Sequence, residues 1–245
     1  MKKKQNQIAE AANIRIGIIL IIMGTLTLNA QGKSINHLWE SQLTEFVSKD
    51  GKVNYKSWKN ERRVLDNYIS VLAENFPKAN WQKNDLLAYW INAYNALTVQ
   101  LILDHYPLNS IKDIPKRWSL EVFTAGGETY SLNDIEHKIL RKLDEKRIHF
   151  AINCASASCP NLYREAFKGA KLDYQLETVT RKFFQDPTKN RFEDDKVRLS
   201  KILLWFIQDF GFKKEKLAFI SRYSPTALNT DVSIRYLPYD WTLNE

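Results

Sequence analysis

The sequence predicts an α+β fold, a single helix-rich domain with a small antiparallel sheet. Three observations predict it. Apolar residues recur at helical spacing along most of the chain, alternating runs are short and few, and only 8 Gly and 7 Pro punctuate 245 residues. With 44% apolar and 26% charged residues, the composition is that of a folded protein and excludes disordered, collagen-like and low-complexity classes. Two Cys cannot make a disulfide scaffold.

The chain opens with Lys2, Lys3, Lys4 and Arg15, then an apolar stretch from Ile16 to Leu28, then Leu28-Asn29-Ala30 before Gln31. A basic start, a short apolar run and a small residue at the cut are the pattern of a secretory signal peptide, here residues 1–30. The apolar run is shorter than the roughly 20 residues a spanning helix needs. The expectation is an exported protein of the periplasm or cell envelope, with no stable membrane insertion after cleavage. Residues 1–30 carry four basic residues and one acidic one, so their removal lowers the net charge from +8 to +5. That excess is spread among interspersed Lys and Glu, whereas a nucleic-acid protein concentrates it on one face with aromatics. Nucleic acid is therefore not an expected partner, and the sequence specifies no other.

Leu38, Trp39, Leu43, Phe46 and Val47 mark a first helix, ended by the Asp50-Gly51 turn. Val64, Leu65, Tyr68, Ile69 and Leu72 mark a second. The longest element runs from Asn84 to His105 and is stopped by Pro107. Trp118–Phe123 and Glu128–Tyr130 flank Ala125-Gly126-Gly127, a hairpin signal. Ser131-x-x-Asp134 caps a helix bearing Ile135, Ile139, Leu140 and Leu143. A short strand over Ile148–Asn153 leads into a small-residue loop ending at Pro160. Helices follow over Leu172–Phe184, over Lys201–Phe210 with Ser200 as its cap, and over Lys216–Arg222, before a terminal strand from Val232 to Leu237.

Two segments carry more polar chemistry than the fold requires. On the long helix, residues placed at 100° intervals put Leu87, Trp90, Tyr94, Leu97 and Leu101 on one side and Ala88, Asn92, Asn95, Ala96 and Val99 on the other. Neither face is charged, so the helix is expected to be buried all round. Buried amides need partners, because an unpaired polar group costs about 1–3 kcal/mol. Asn92 and Asn95 therefore either cap a neighbouring loop's backbone or orient a catalytic group or ligand.

The second segment is His149-Phe-Ala-Ile-Asn-Cys-Ala-Ser-Ala-Ser-Cys-Pro160, which holds both cysteines and one of four histidines. Strand alternation would put His149, Ala151 and Asn153 on one face. Three chemistries fit. Cys154 or Cys159 acts as a thiolate nucleophile with His149 as base, which requires a neighbour that lowers the thiol's pKa. Alternatively the two cysteines close a short disulfide, as an oxidising compartment permits. Third, the three residues ligate a metal, although they are one short of a closed zinc site and match no common spacing.

Ala88-Tyr-Trp-Ile-Asn-Ala-Tyr-Asn-Ala-Leu97, Ser131-Leu-Asn-Asp-Ile-Glu-His137, the stretch from His149 to Pro160 and Tyr239-Asp-Trp-Thr-Leu-Asn244 together resemble the uncharacterised family DUF547. The similarity runs from about Trp39 to Asn244. It implies that Asn92, Asn95, Glu136, His137, His149, Cys154, Ser158, Cys159 and Asp240 occupy signature positions, and it implies no activity. There is a further analogy, at fold level alone, to papain-like and transglutaminase-like enzymes, which place a Cys on a buried helix and a His on a following strand. Here the helix holds no Cys, so either the thiol comes from Cys154 or Cys159 or the scaffold is catalytically dead. His105 and His137 read as structural or surface residues, and Ser156 and Ser158 lack a nucleophile elbow. P-loop, dinucleotide and H-E-x-x-H motifs are missing, and no cofactor or metal is indicated.

The resulting expectation is a Cys/His-dependent hydrolase or acyl transferase acting on amide-containing substrates. Cys154 is the nucleophile, His149 the base, and Asn92 or Asp240 the orienting group. Asn95, Ser158 and Cys159 are expected to contact substrate. The competing expectation is a non-catalytic envelope binding module with a structural Cys154–Cys159 loop.

Overall fold

A computed structural model describes residues 35–193, 195–229 and 231–245; the predicted signal segment lies outside them. Helix α1 spans 35–46, α2 Tyr55–Asn60, α3 Arg63–Glu74 and α4 Lys83–His105. Strands β1 (Glu121–Ala125) and β2 (Glu128–Ser131) form an antiparallel hairpin. Its turn needs Gly126 and Gly127, both at positive φ (61° and 84°), where a Cβ is disfavoured. α5 covers Leu172–Gln185, and the chain continues through β3 (Arg191–Phe192), β4 (Lys196–Leu199), α6 (Ile202–Trp205), α7 (Ile207–Phe210), α8 (Lys213–Ile220) and β5 (Ser233–Tyr236). The expected α+β mixture is present, as a two-stranded antiparallel sheet and a separate three-stranded mixed sheet in the order β3-β4-β5. β3 pairs antiparallel to β4, and β5 pairs parallel to it.

α4 is buried on every side, from Leu87 through Val99 and on to Leu103. It is long and apolar enough to span a membrane by composition, but its apolar window is 89% buried inside the protein, where α2, α3, β1 and the 134–143 segment pack on it. One apolar cluster forms around it from Trp39, Trp58, Leu65, Trp90, Leu97 and Ile135. A second gathers Phe150, Phe184, Val197, Leu203, Phe210 and Tyr223 from the chain's later half.

Three expected elements take other forms. The predicted strand at 148–153 is a 3-10 turn over Lys146–Phe150 followed by irregular chain. A short apolar run fits either geometry, and here the alternation fails: His149 and Ile152, which a strand would put on opposite faces, line the same pocket. The helix after Ser131 is a π-helical turn, Asp134–Ile139, running into a 3-10 turn, Leu140–Leu143. Its cap is as expected, with Ser131 Oγ accepting from the Asp134 N–H and the Asp134 carboxylate accepting from the Ser131 N–H. The predicted helix 201–210 breaks in two at Phe206, whose φ of −100° and ψ of 39° leave the helical region.

Candidate functional site

One pocket of about 190 Å³ brings together chemistry from four distant parts of the chain. α4 supplies Tyr94, the π-helical turn supplies Glu136 and His137, the 3-10 turn supplies His149, and the following loop supplies Cys154 and Cys159. Trp205 and Phe206 complete its wall together with Tyr239 and Trp241 of the C-terminal segment, both of which pack on Trp205. A pocket with apolar walls and a few convergent polar groups is the common form of a small-molecule site.

Cys154 is half-buried and Cys159 buried, and both are free thiols. The Cys154 sulfur lies 3.2 Å from Ser156 Oγ and 3.3 Å from Tyr239 Oη, and the Cys154 N–H donates to the Cys159 sulfur at 2.8 Å. Burial alone would raise the Cys154 pKa, but hydrogen bonds from Cys159, Ser156 and Tyr239 outweigh it and bring the thiol to about 7. Cys159 goes the other way, raised by burial and by the neighbouring sulfur's charge. Choice between the two sulfurs thus falls on Cys154, the one placed to ionise.

His149 is fully enclosed. Its Nε2 meets Asp209 Oδ2 at 2.7 Å, its ring lies 3.9 Å from that of Phe206 between centroids, and Arg141 grips both Asp209 oxygens at 2.7 Å. Burial would raise the Asp209 carboxyl, yet the bonds from His149 and Arg141 hold it well below the usual carboxylate range. An ionised carboxylate can only accept, so Nε2 carries the proton and Nδ1 is left basic. Nδ1 is buried without a hydrogen-bond partner, and the nearest carboxylate oxygen is Glu136 Oε1, 3.9 Å away. Burial also lowers the His149 pKa, against the pull of Asp209.

Glu136 is the residue that sequence reasoning undervalued. It accepts from the Tyr94 hydroxyl at 3.3 Å. Burial, reinforced by the charge of the Cys154 sulfur, pushes its carboxyl up to about 7. Thiol and carboxyl therefore titrate in the same range within one pocket, with the His149 Nδ1 3.9 Å from the carboxyl. A strongly shifted acid within a cleft is itself a marker of function.

The remaining expected site residues are placed otherwise. Asn92 donates to the Phe167 carbonyl and accepts the Phe167 N–H, at 2.8 and 2.9 Å, so both ends of its amide are committed to one backbone position. Asn95 does the same for the loop, donating to the Ala151 carbonyl and accepting the Asn153 N–H. Asp240 is exposed and accepts from the backbone and hydroxyl of Thr242. Neither Asn92 nor Asp240 touches His149; the orienting contact belongs to Asp209, sixty positions downstream in an unrelated helix. Ser158 accepts the Asp240 N–H and is tied to the C-terminal segment, outside the pocket wall. Cys159 does line the pocket. His137 also lines it and pairs through Nδ1 with Arg141 at 3.1 Å, so it is no free surface residue. His105 keeps the structural place expected of it, bonded to the Leu101 carbonyl. Among the described residues, no group of three or more His, Cys, Asp or Glu is placed to hold a metal.

Comparison with protein-family models places this arrangement. Residues 78–184, less than half of the chain, match the model of DUF547, a protein family of unknown function. The match is narrower than the resemblance read from motifs, which ran from Trp39 to Asn244. The matched segment contains α4, the hairpin, Glu136, His149, both cysteines and all but the last residue of α5. It leaves out Asp209, which pairs with His149, and Tyr239, which lines the pocket. No curated protein and no solved structure matches the chain.

Proposed function

We infer that the protein is an exported thiol-dependent hydrolase or acyl transferase acting on an amide-containing substrate. The observation that carries this reading is the shared pocket in which Cys154, Glu136 and His149 meet, with the first two titrating near neutrality. Export is supported by the sequence pattern of residues 1–30. In the proposed first step the Cys154 proton passes to Glu136, backed by Nδ1 of His149. The sulfur attacks the substrate carbonyl, forming a thioester and expelling an amine that recovers the proton. His149 is then a proton relay behind Glu136 rather than the group bonded to sulfur. Water completes hydrolysis, or a second amine or hydroxyl completes transfer. Arg141 and Asp209 fix the imidazole's tautomer and orientation.

Iodoacetamide alkylation followed by mass spectrometry tests the assignment. The adduct is expected on Cys154 with a pH midpoint near 7, and the midpoint should fall in Glu136→Gln, which removes a like charge from beside the sulfur. Incubation with simple amides or thioesters should leave an acyl mass on Cys154 that Cys154→Ser abolishes. A midpoint in the ordinary thiol range, or an adduct found on Cys159 alone, would sink the proposal. The alternative, a non-catalytic envelope module stapled at this loop, has one observation in its favour: the Cys159 sulfur already touches the Cys154 backbone. It predicts that both thiols of the exported protein are blocked to the reagent.

A further inference from the structure

A second cavity, of about 400 Å³, opens on the other side of the 146–150 turn, with Phe150 in its wall where His149 lines the first. That volume lies within the range of small-molecule pockets. Its wall carries four cations, Lys49, Arg164, Lys182 and Lys189, against two carboxylates, Glu165 and Asp186. Asp186 is already committed to Lys189, at 3.3 Å. Among the described residues, Lys49, Arg164 and Lys182 form no ion pair, so the cavity holds uncompensated positive charge.

The cationic wall is built rather than incidental. Lys189 is 5% exposed, and its ammonium donates to Asn161 Oδ1 as well as pairing with Asp186. Asn161 is in turn anchored by its amide on the Asp50 carbonyl at 2.8 Å, packed against Gly51. Gly51 is held at φ +83°, and a Cβ there would meet Asn161 at 2.4 Å. Arg164 donates through Nη2 to the Thr44 carbonyl, while its Nε is buried with no hydrogen-bond partner. A buried donor without a partner costs about 1–3 kcal/mol and is satisfied by an acceptor entering the cavity. The Lys182 ammonium lies 5.7 Å from the ring centroid of Tyr163, which lines the same cavity. Behind the cations, Phe150, Leu162, Val179 and Phe183 give an apolar floor.

We propose that this cavity is a second binding site, for a small organic anion whose carboxylate or phosphate head meets Lys49, Arg164 and Lys182 and whose apolar body lies on Phe150 and Phe183. Guanidinium and ammonium donors converging on one face suit an oxyanion. The inference does not rest on the thiol reading, because no residue of the proposed reaction lines this cavity.

Calorimetric titration of the purified protein at low salt tests it, with phenyl phosphate, phenylacetate and the neutral benzyl alcohol as probes. At least one of the two anions should bind with a Kd of about 1 mM or tighter, and the preference between them names the head group. Benzyl alcohol should bind at least about tenfold more weakly. Lys49 and Lys182 are exposed, so Lys49→Ala and Lys182→Ala leave the fold intact; each should weaken the anion about tenfold, and Cys154→Ser should not. Equal affinity for benzyl alcohol would overturn the proposal. So would unchanged binding in both lysine variants, loss of binding in Cys154→Ser, or no heat from either anion at about 10 mM.

Discussion

At the scale of single residues, the Glu136 carboxyl makes a stability prediction with a definite sign. Its folded pKa of about 7 stands above the ordinary 4.5, because burial disfavours its charge. Between those values the folded state holds a proton that the unfolded state has released, so stability falls as pH rises. The expected loss is roughly 3 kcal/mol, complete a little above pH 7. Cys154 acts in the opposite sense, since its thiol is lowered to about 7 from 9.0 and adds stability above neutrality. Urea unfolding of Glu136→Gln across pH 4.5 to 7.5 should show the falling slope flattened. A slope as steep as that of the parent would mean that another group carries it. Glu136 was legible in the sequence as a signature position, but no local signal marked it as a buried acid. Its burial comes from Tyr94 and the facing loop, neither of which is near it in sequence.

Among the elements, α4 positions most of what lies around it. Its two amides clamp two separate backbones, Phe167 through Asn92 and the 151–153 loop through Asn95. Asn92→Ala and Asn95→Ala each leave a buried N–H and a buried C=O unpaired, so each should cost about 2–5 kcal/mol in urea unfolding. Asn95→Ala alone should also alter the rate of Cys154 alkylation, because Asn153 directly precedes that cysteine. Equal reactivity in the two variants would detach the clamp from the site. These amides were found in the sequence as polar residues on a helix with no polar side, a signal that is local and strong. α3, α4, the hairpin and α5 were legible for the same reason. The break at Phe206 was not, since 202–210 reads as continuous helix; packing of the Phe206 ring on His149 overrides that tendency. β3 and β4 escaped notice because two and four residues rich in charge carry too short an alternation. Asp209 had no local signal at all, being a partner fixed only by tertiary contact.

Across the whole molecule, the pocket forms where the two apolar clusters approach each other and the C-terminal segment closes over the loop. The Ala157 N–H donates to Thr242, the Ser158 N–H to Asp240, and the Asn244 N–H to Ala155, so the chain end is laced to the loop that carries the thiol. Through that lacing Tyr239 reaches the sulfur. Tyr239→Phe should raise the midpoint of Cys154 alkylation by about half a unit or more while shifting stability by only about 1 kcal/mol. Truncation after Tyr236 should raise it at least as far and lower the unfolding free energy by several kcal/mol. An unchanged midpoint in both would remove the phenol from the account of the thiol's acidity. The lacing also sets an order of events during synthesis. When the ribosome has delivered the cysteine, the histidine and the glutamate, it has still to deliver Asp209 and the tyrosine. Until residues 239–244 dock on the 155–158 loop, the sulfur lacks the hydrogen bond from Tyr239, so its acidity arrives with tertiary closure and not with the loop alone.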